Sequence, residues 1–273
     1  MLGLDDLLSP VLVQQGGLTA LAQSARDELR TRFRQRALRD PPIPIADQFE
    51  LYTRLTGLRN RVRYDAETEP WSFIHVDPAE VDHYTTGLEL PWGLGRVQDG
   101  DWDRDRHCDH IRENAKYRGL VERFEEGHDW ADTEYYDDVK SRFEAGENPR
   151  GFANFETFEN ERLPAVDDLY ESIAAHGWRP NHERDHEPAD WTAYASSLDP
   201  LVAIGREGDV LWYEGYTRFM LADVLGVAEI PVLVLCRHSE WQATRDAVAT
   251  GQSLDRRQVA NHPDLRILRT SKP

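Results

Sequence analysis

The fold is decided by one stretch, Val210-Leu-Trp-Tyr-Glu-Gly-Tyr-Thr-Arg-Phe-Met-Leu-Ala-Asp-Val-Leu-Gly-Val-Ala-Glu-Ile-Pro-Val-Leu-Val-Leu235. Its first four residues, 210–213, predict a strand, and Gly215 opens a helical pattern that Gly226 ends. The apolar run that starts at Ile230 predicts a second, buried strand. A strand, a tight turn, a helix and another strand together predict an α/β (α+β) domain.

The sequence on either side of this stretch extends the same sheet. Leu201–Ile204 is a further apolar strand, and Trp71–Val76 alternates as a strand does before Asp77-Pro78 ends it. We therefore predict one mixed sheet with strands near 73–76, 201–204, 210–213 and 231–235. Residues 88–103 predict a loop, and the polar residues 104–163 predict a large helical insertion. Residues 165–176 favour a helix that Gly177 ends.

The N-terminal part predicts a helix over residues 18–39, followed by a proline-rich linker. The polar face of this helix carries six arginines, Arg26, Arg30, Arg32, Arg34, Arg36 and Arg39. A basic amphipathic helix fits peripheral contact with an anionic membrane or with a partner protein. The alternative is a solvated face that docks on this protein's own acidic surface. The predicted organisation is an arm and linker (1–45), a main domain (46–250) and a C-terminal tail (251–273).

The charge balance of the chain is strongly acidic. It has 273 residues, with 50 acidic against 32 basic side chains and a net charge of -18. Lysine occurs three times, as Lys116, Lys140 and Lys272. An acidic, lysine-poor surface is favoured in a high-salt cytoplasm, where screening removes self-repulsion. A GC-rich codon bias explains the arginine but not the excess of acid. The same negative charge argues against nucleic-acid binding, because that binding depends on basic side chains.

The sequence also indicates the cellular compartment in which the protein is expected. Cys108 and Cys236 do not form a disulfide framework, and Asp5 and Asp6 stand where a signal peptide would be basic. The longest apolar run, 230–236, is too short to cross a bilayer. We therefore expect a soluble, cytoplasmic protein.

The turn after the 210–213 strand is the main candidate for chemistry. A glycine there lets backbone approach a ligand, and the first N–H groups of the following helix attract an anion. Gly215, Tyr216, Thr217 and Arg218 are therefore predicted to bind phosphate, with Arg218 as a forked donor. Glu214 is placed to hold a metal ion or to accept a proton. The alternative is that Gly215 only makes the turn and that Arg218 pairs with a surface acid.

Here the sequence resembles the ParB/sulfiredoxin-like superfamily. The stretch 215–232 is similar to the second ParB box, a Gly-x-x-Arg turn with a helix ending in glycine and then Ile-Pro-Val. Leu169–Gly177 resembles the ParB stretch that leads into a strand, here at 200–203, and 74–78 resembles the first ParB strand. The resemblance covers roughly residues 71–240, interrupted by the insertion and by a loop at 180–199. It implies the superfamily's mixed sheet and a bound nucleotide.

The sequence departs from the superfamily's known activities. ParB proteins that use CTP carry Glu-Arg where Tyr216 and Thr217 stand, and sulfiredoxin carries its catalytic cysteine at the place of Tyr216. Peroxiredoxin repair is thereby excluded. The turn is more similar to the Asp-Gly-His-Thr-Arg of archaeal members, which include an ADP-dependent serine kinase. No pattern of a ParB helix-turn-helix domain follows Trp241. The stretches 95–103, 118–127 and 237–241 also resemble a prokaryotic branch of the superfamily.

Further polar residues form secondary candidates. Asp101 and Asp103 offer carboxylates for Mg²⁺ beside a nucleotide; the alternative is an aspartate-rich turn. Four residues are predicted to line the same pocket: Trp102, Arg237, His238 and Trp241. His182-Glu-Arg-Asp-His186 matches the zinc-protease pattern HExxH, but it lies between prolines without an apolar stripe, which favours a solvated loop. His107–His110 is a further potential metal cluster, predicted to fall in a polar helix.

The sequence therefore favours binding of a phosphorylated small molecule, a nucleotide with Mg²⁺ in the first place, with phosphotransfer or hydrolysis as an associated reaction. Two alternatives stay open at this point. One is a non-enzymatic accessory protein with a degenerate ParB-like domain. The other is a DNA-partition or nuclease-like protein, which the charge and the missing helix-turn-helix disfavour.

Overall fold

The computed structural model describes residues 43–66, 69–179, 191–252 and 261–270. Three sequence predictions lie outside these ranges. They are the arginine-rich helix 18–39, the HExxH segment of the 180–190 loop, and the end of the tail with Lys272.

A mixed β-sheet forms the centre of the described residues. Its seven strands are β1 (Phe73–Val76), β2 (His83–Thr85), β3 (Arg96–Gln98), β4 (Cys108–His110), β5 (Leu201–Ile204), β6 (Val210–Glu214) and β7 (Ile230–His238). The strand order is β1-β7-β5-β6-β2-β4, and β3 pairs with the C-terminal part of β7. Strands β5 and β7 run parallel, as do β2 and β6, whereas β1 and β7 are antiparallel.

The predicted sheet is confirmed in its four main strands. Phe73 lies opposite Leu233 and Val76 lies opposite Ile230, so the N-terminal strand joins the strand after the glycine turn. The chain is thus of the mixed α/β class.

Eight helices surround this sheet in the described ranges. They are α1 (Ile45–Arg63), α2 (Ala115–Phe124), α3 (Glu134–Glu144), α4 (Leu163–His176), α5 (Trp191–Ser197), α6 (Tyr216–Val224), α7 (Ser239–Ala249) and α8 (Pro263–Thr270). One short helical stretch, Phe155–Thr157, and one π turn, Phe158–Arg162, lead into α4. Helices α2 and α3 lie within the predicted insertion, and Gly177 ends α4 as expected.

Four local predictions differ from the structure. Cys108–His110 is not helical: it forms β4, because the edge of β2 offers backbone partners to an extended segment. The predicted loop at 88–103 contains β3, which adds to β7. The predicted tail contains α8, whose Leu265 is fully buried in the main core. Helix α5 also occupies part of the predicted 180–199 loop.

Alternating side chains give the sheet two apolar faces. Val202, Ile204, Trp212 and Val234 point to one core, which Phe219 of α6 and Leu120 of α2 complete. The residues between them in β5, β6 and β7 point to a second core, which Phe49 of α1 completes. The first face therefore brings the insertion against α6. Within the described ranges, no helix combines the length and apolar character that a membrane crossing requires.

Candidate anion-binding site

The turn between β6 and α6 requires glycine for two reasons. Gly215 has a φ of 85°, in the left-handed region that side chains with a Cβ rarely adopt. A Cβ at this position would also lie 3.2 Å from atoms of Pro200. The chain therefore turns sharply at the end of β6, and α6 begins immediately at Tyr216.

The N-terminus of α6 is anchored by its second residue, Thr217. The first N–H groups of a helix have no partner within the helix, and this end carries partial positive charge. The Thr217 side chain is buried, with 7% of the residue exposed. Its helix is held in place because Phe219 stacks on Trp212 of β6 with ring centroids 3.9 Å apart.

Two basic side chains of the insertion meet at the Thr217 hydroxyl. The Lys116 side-chain nitrogen Nζ, from the first turn of α2, forms a hydrogen bond with Thr217 Oγ1. Arg162, the last residue of the π turn, donates from Nη2 to the same oxygen over 2.7 Å. A hydroxyl oxygen has two acceptor sites, and both are used when Lys116 is protonated and donates to it. The hydroxyl hydrogen remains available to donate to a ligand.

A third cation, Arg150, completes what we call the cation cluster (Lys116, Arg150 and Arg162). Its backbone has a φ of 56° and follows a buried proline, Pro149. A left-handed residue other than glycine costs on the order of 1 kcal/mol. Burial lowers the pKa of both Lys116 and Arg162, and the positive charge of Arg150 lowers them further.

The cation cluster has little negative charge to balance it. Lys116 is 9% exposed, and Nε of Arg162 is buried without a hydrogen-bond partner. Among the described residues, none of the three cations has an Asp or Glu oxygen within 4.0 Å. Burial, then Arg150 and Arg162, lowers the pKa of Lys116 well below its usual value, and Glu214 opposes this shift. In so acidic a chain, three cations without a close acid are suited to hold an anion.

The predicted residues of the turn differ in what they contact. Glu214 ends β6, and its Oε1 accepts a hydrogen bond from the Gly215 amide over 2.9 Å. Tyr216 packs edge-to-face on Tyr84, and burial raises the pKa of its phenol. The Tyr216 hydroxyl thus stays protonated at neutral pH.

The contacts of Arg218 differ from those of Thr217. Its guanidinium lies over the ring of Trp178, 4.3 Å from the centroid, and donates to the backbone carbonyl of Arg179. Asp199 lies 3.9 Å from its Nη1. Burial lowers the pKa of Arg218, and Asp199 opposes this. Of these contacts, the one with Asp199 corresponds to the alternative in which Arg218 pairs with an acid.

The two aspartates predicted to bind metal are both paired with arginine. Asp103 accepts from the Arg206 backbone amide over 2.8 Å and from its guanidinium over 2.7 Å. Asp101 lies 3.2 Å from Arg106 and 3.3 Å from Arg206. Burial alone would raise the pKa of Asp103, but the hydrogen bonds from Arg206 outweigh this effect, and the pKa is lowered. In the part of the chain that the structure describes, no three His, Cys, Asp or Glu side chains are grouped to hold a metal.

The four residues predicted to line a pocket are packed in the interior. Arg237 pairs with Asp264 of α8, and Trp241 donates to the same carboxylate over 2.9 Å. His238 is fully buried at the start of α7, and its Nε2 lies 3.0 Å from the Gly100 carbonyl oxygen. Trp102 is 4% exposed and belongs to the second core. The predicted tail therefore supplies the carboxylate that binds Arg237.

The cation cluster was missed at the sequence level. Lys116 is 101 positions from Thr217, and Arg162 is 55 positions away, so no local motif joins them. One signal was present: lysine is rare in this chain, and Lys116 lies in the first turn of a helix in the insertion.

In comparisons with known proteins, no family model, no curated protein and no solved structure matches this chain.

Proposed function

We propose that this protein binds a phosphorylated small molecule, with the phosphate at the N-terminus of α6 between Thr217 and the cation cluster. The observation that carries the proposal is the convergence of Lys116 and Arg162 on Thr217 without a close acid. A phosphate there accepts hydrogen bonds from the Thr217 hydroxyl and from the N–H groups of the first turn, and it balances the positive charge of the cation cluster.

The ligand that fits the sequence best is a nucleotide. This part of the proposal rests on the resemblance of 215–232 to the ParB/sulfiredoxin-like superfamily, and Gly215 directly precedes α6. Mg²⁺ commonly reaches a protein through one carboxylate together with the phosphates of its nucleotide. Glu214 is the carboxylate beside the turn, since Arg206 engages Asp101 and Asp103. Glu214 is also the group placed to accept a proton in phosphotransfer or hydrolysis.

The cellular environment of this activity is proposed from the composition of the chain. The net charge of -18 fits a protein of a high-salt cytoplasm, and the arginine-rich segment 18–39 is its candidate contact with a membrane surface or partner protein.

The test is calorimetry of ATP, ADP, AMP, CTP and inorganic phosphate, with and without Mg²⁺, in molar potassium glutamate. We expect at least one phosphorylated compound to bind. Thr217→Val keeps the shape of the side chain but removes the hydroxyl, so we expect affinity to fall roughly ten- to hundredfold, the loss of a charge-assisted hydrogen bond.

Lys140→Met provides the matched control, because Lys140 is exposed on α3 and its loss changes the net charge alone. Its affinity should equal that of the wild type. Equal affinities of the wild type and Thr217→Val for every ligand that binds would move the site elsewhere. No binding by any compound would favour the non-enzymatic accessory protein.

A further inference from the structure

We propose that Lys116 is an uncharged amine in the free protein, and that the site takes up its anion together with one proton, which Lys116 accepts. The first half concerns the protein alone. The second half rests on the proposed function, and it specifies how the same site recognises a negatively charged ligand.

The surroundings of Lys116 favour the uncharged form. The groups that face it from the neighbouring elements are the Thr217 hydroxyl of α6, the Tyr135 ring of α3, Arg150, Arg162 and Glu214. Tyr135 and Thr217 are neutral; burial raises the pKa of the Tyr135 phenol. Two positive groups thus stand against one carboxylate, and that carboxylate is turned toward the Gly215 amide.

Among the three cations, Lys116 is the one that can lose its charge. A guanidinium does not release its proton in proteins, so Arg150 and Arg162 stay positive. An ammonium group does so readily when it is buried beside another cation. The repulsion within the cation cluster is therefore relieved at Lys116.

The hydrogen bonds at Thr217 are compatible with both charge states. When Lys116 is an amine, its lone pair accepts the Thr217 hydroxyl hydrogen, while Arg162 still donates to Thr217 Oγ1. When an anion is bound, Lys116 becomes an ammonium and donates to Oγ1, and the hydroxyl hydrogen turns to the anion. Binding of the anion and gain of the proton are thus one event at Thr217.

This coupling sets the pH dependence of binding. An anion raises the pKa of Lys116, so the complex binds more protons than the free protein between the two pKa values. Affinity is therefore highest below the pKa of the free protein, and it falls as pH rises through the pKa of the complex. The ligands selected are anions such as phosphate monoesters.

The first half is tested by NMR of protein labelled with ¹⁵N-lysine. The chain has three lysines, so Lys140→Arg and Lys272→Arg assign the three side-chain signals. We expect the Lys116 signal to titrate at clearly lower pH than that of the exposed Lys140. Titration of the two signals together would overturn the proposal without reference to any ligand.

The second half is tested by calorimetry with sulfate, a dianion that does not titrate between about pH 6 and pH 10, in buffers of different ionisation enthalpy. We expect proton uptake that approaches one per sulfate within this interval. Lys116→Arg keeps the positive charge but cannot titrate, so it should bind sulfate without uptake. Binding to the wild type without uptake at any pH overturns the inference but not the proposed function. Absence of sulfate binding counts against the proposed function, and the NMR titration then decides the charge of Lys116.

Discussion

Two groups of basic side chains in this molecule differ in how their positive charge is balanced. In the Asp264 cluster (Arg237, Arg245 and Asp264), one fully buried carboxylate binds two arginines, with nitrogen–oxygen distances of 2.5 and 3.1 Å. In the cation cluster, Lys116 and Arg162 meet at a threonine hydroxyl with the charge of Arg150 nearby, and no described carboxylate lies within 4.0 Å of the three. The first group has a carboxylate at ion-pair distance, whereas the second is complementary to an anion.

The difference separates a structural use of buried charge from a binding use. A buried ion pair is maintained because removal of one partner leaves an uncompensated charge. A buried basic side chain without a close acid, such as Lys116, costs stability in the free protein, and the perturbed pKa that accompanies it is typical of functional sites. The comparison therefore predicts opposite signs when one charge is removed from each group.

The largest effect is expected at Asp264. Asp264→Asn removes the carboxylate that Arg237 and Arg245 share in the interior, so the free energy of unfolding should fall by about 3–5 kcal/mol. Chemical denaturation measures this loss. Asp101→Asn is the matched control, because Asp101 pairs with arginine at the surface and is 55% exposed; its effect should stay within about 1 kcal/mol. A similar small effect at Asp264 would contradict the structural role.

The same carboxylate gives the Asp264 cluster a pH dependence. Burial alone would raise the pKa of Asp264, but Arg237 and Arg245 bring it to about 2. The folded-state pKa is thus below the unfolded value of about 3.9, so the stability it contributes is present above that value and is lost as pH falls toward 2. Wild type and Asp264→Asn should therefore converge in stability across this acid window.

The second effect concerns the Gly215 turn, which joins β6 to α6. Gly215→Ala should lower the free energy of unfolding by about 1–3 kcal/mol, because alanine is strained at a φ of 85° and its Cβ approaches Pro200. Gly226→Ala is the control: it has a φ of 65°, and a Cβ there meets no atom within 4 Å. The difference between the two losses measures the contact with Pro200. Equal losses would show that this contact is relieved at no cost.

A smaller effect of opposite sign is expected at Lys116. The folded-state pKa is lowered, so the unfolded chain binds more protons below the usual lysine pKa and the native state is penalised there. Lys116→Met should therefore raise stability by roughly 1 kcal/mol at neutral pH, and the gain should shrink as pH rises toward 10. Denaturation at several pH values measures it, with Lys140→Met as the unchanged control. A loss of stability in Lys116→Met would make Lys116 a structural residue.

The sequence predicts the sheet but not the two charge groups, for a physical reason. Strands β5, β6 and β7 can be predicted from the sequence because each segment carries its own apolar pattern and glycine boundaries. The cation cluster depends on the path of the insertion, which brings Lys116 and Arg162 to α6 across long sequence separations. Asp264 lies in a segment with an amphipathic helical pattern, but the sequence does not show that this helix packs on the core and that Asp264 pairs with Arg237. Likewise, β4 forms because β2 offers an edge, and its own residues do not favour a strand.

The smallest effect distinguishes the two roles of Arg218. Arg218→Ala removes the stacking on Trp178, so stability should fall by about 0.5–1 kcal/mol. Because the guanidinium is engaged with Trp178, the Arg179 carbonyl and Asp199, we expect phosphate affinity to fall less than in Thr217→Val. Denaturation and calorimetry on the same samples separate the two quantities. A ten- to hundredfold loss of affinity with unchanged stability would instead support the direct phosphate contact that the sequence predicts for Arg218. It would also place the anion between Arg218 and the cation cluster, so that the site is completed by α6 as well as by the insertion.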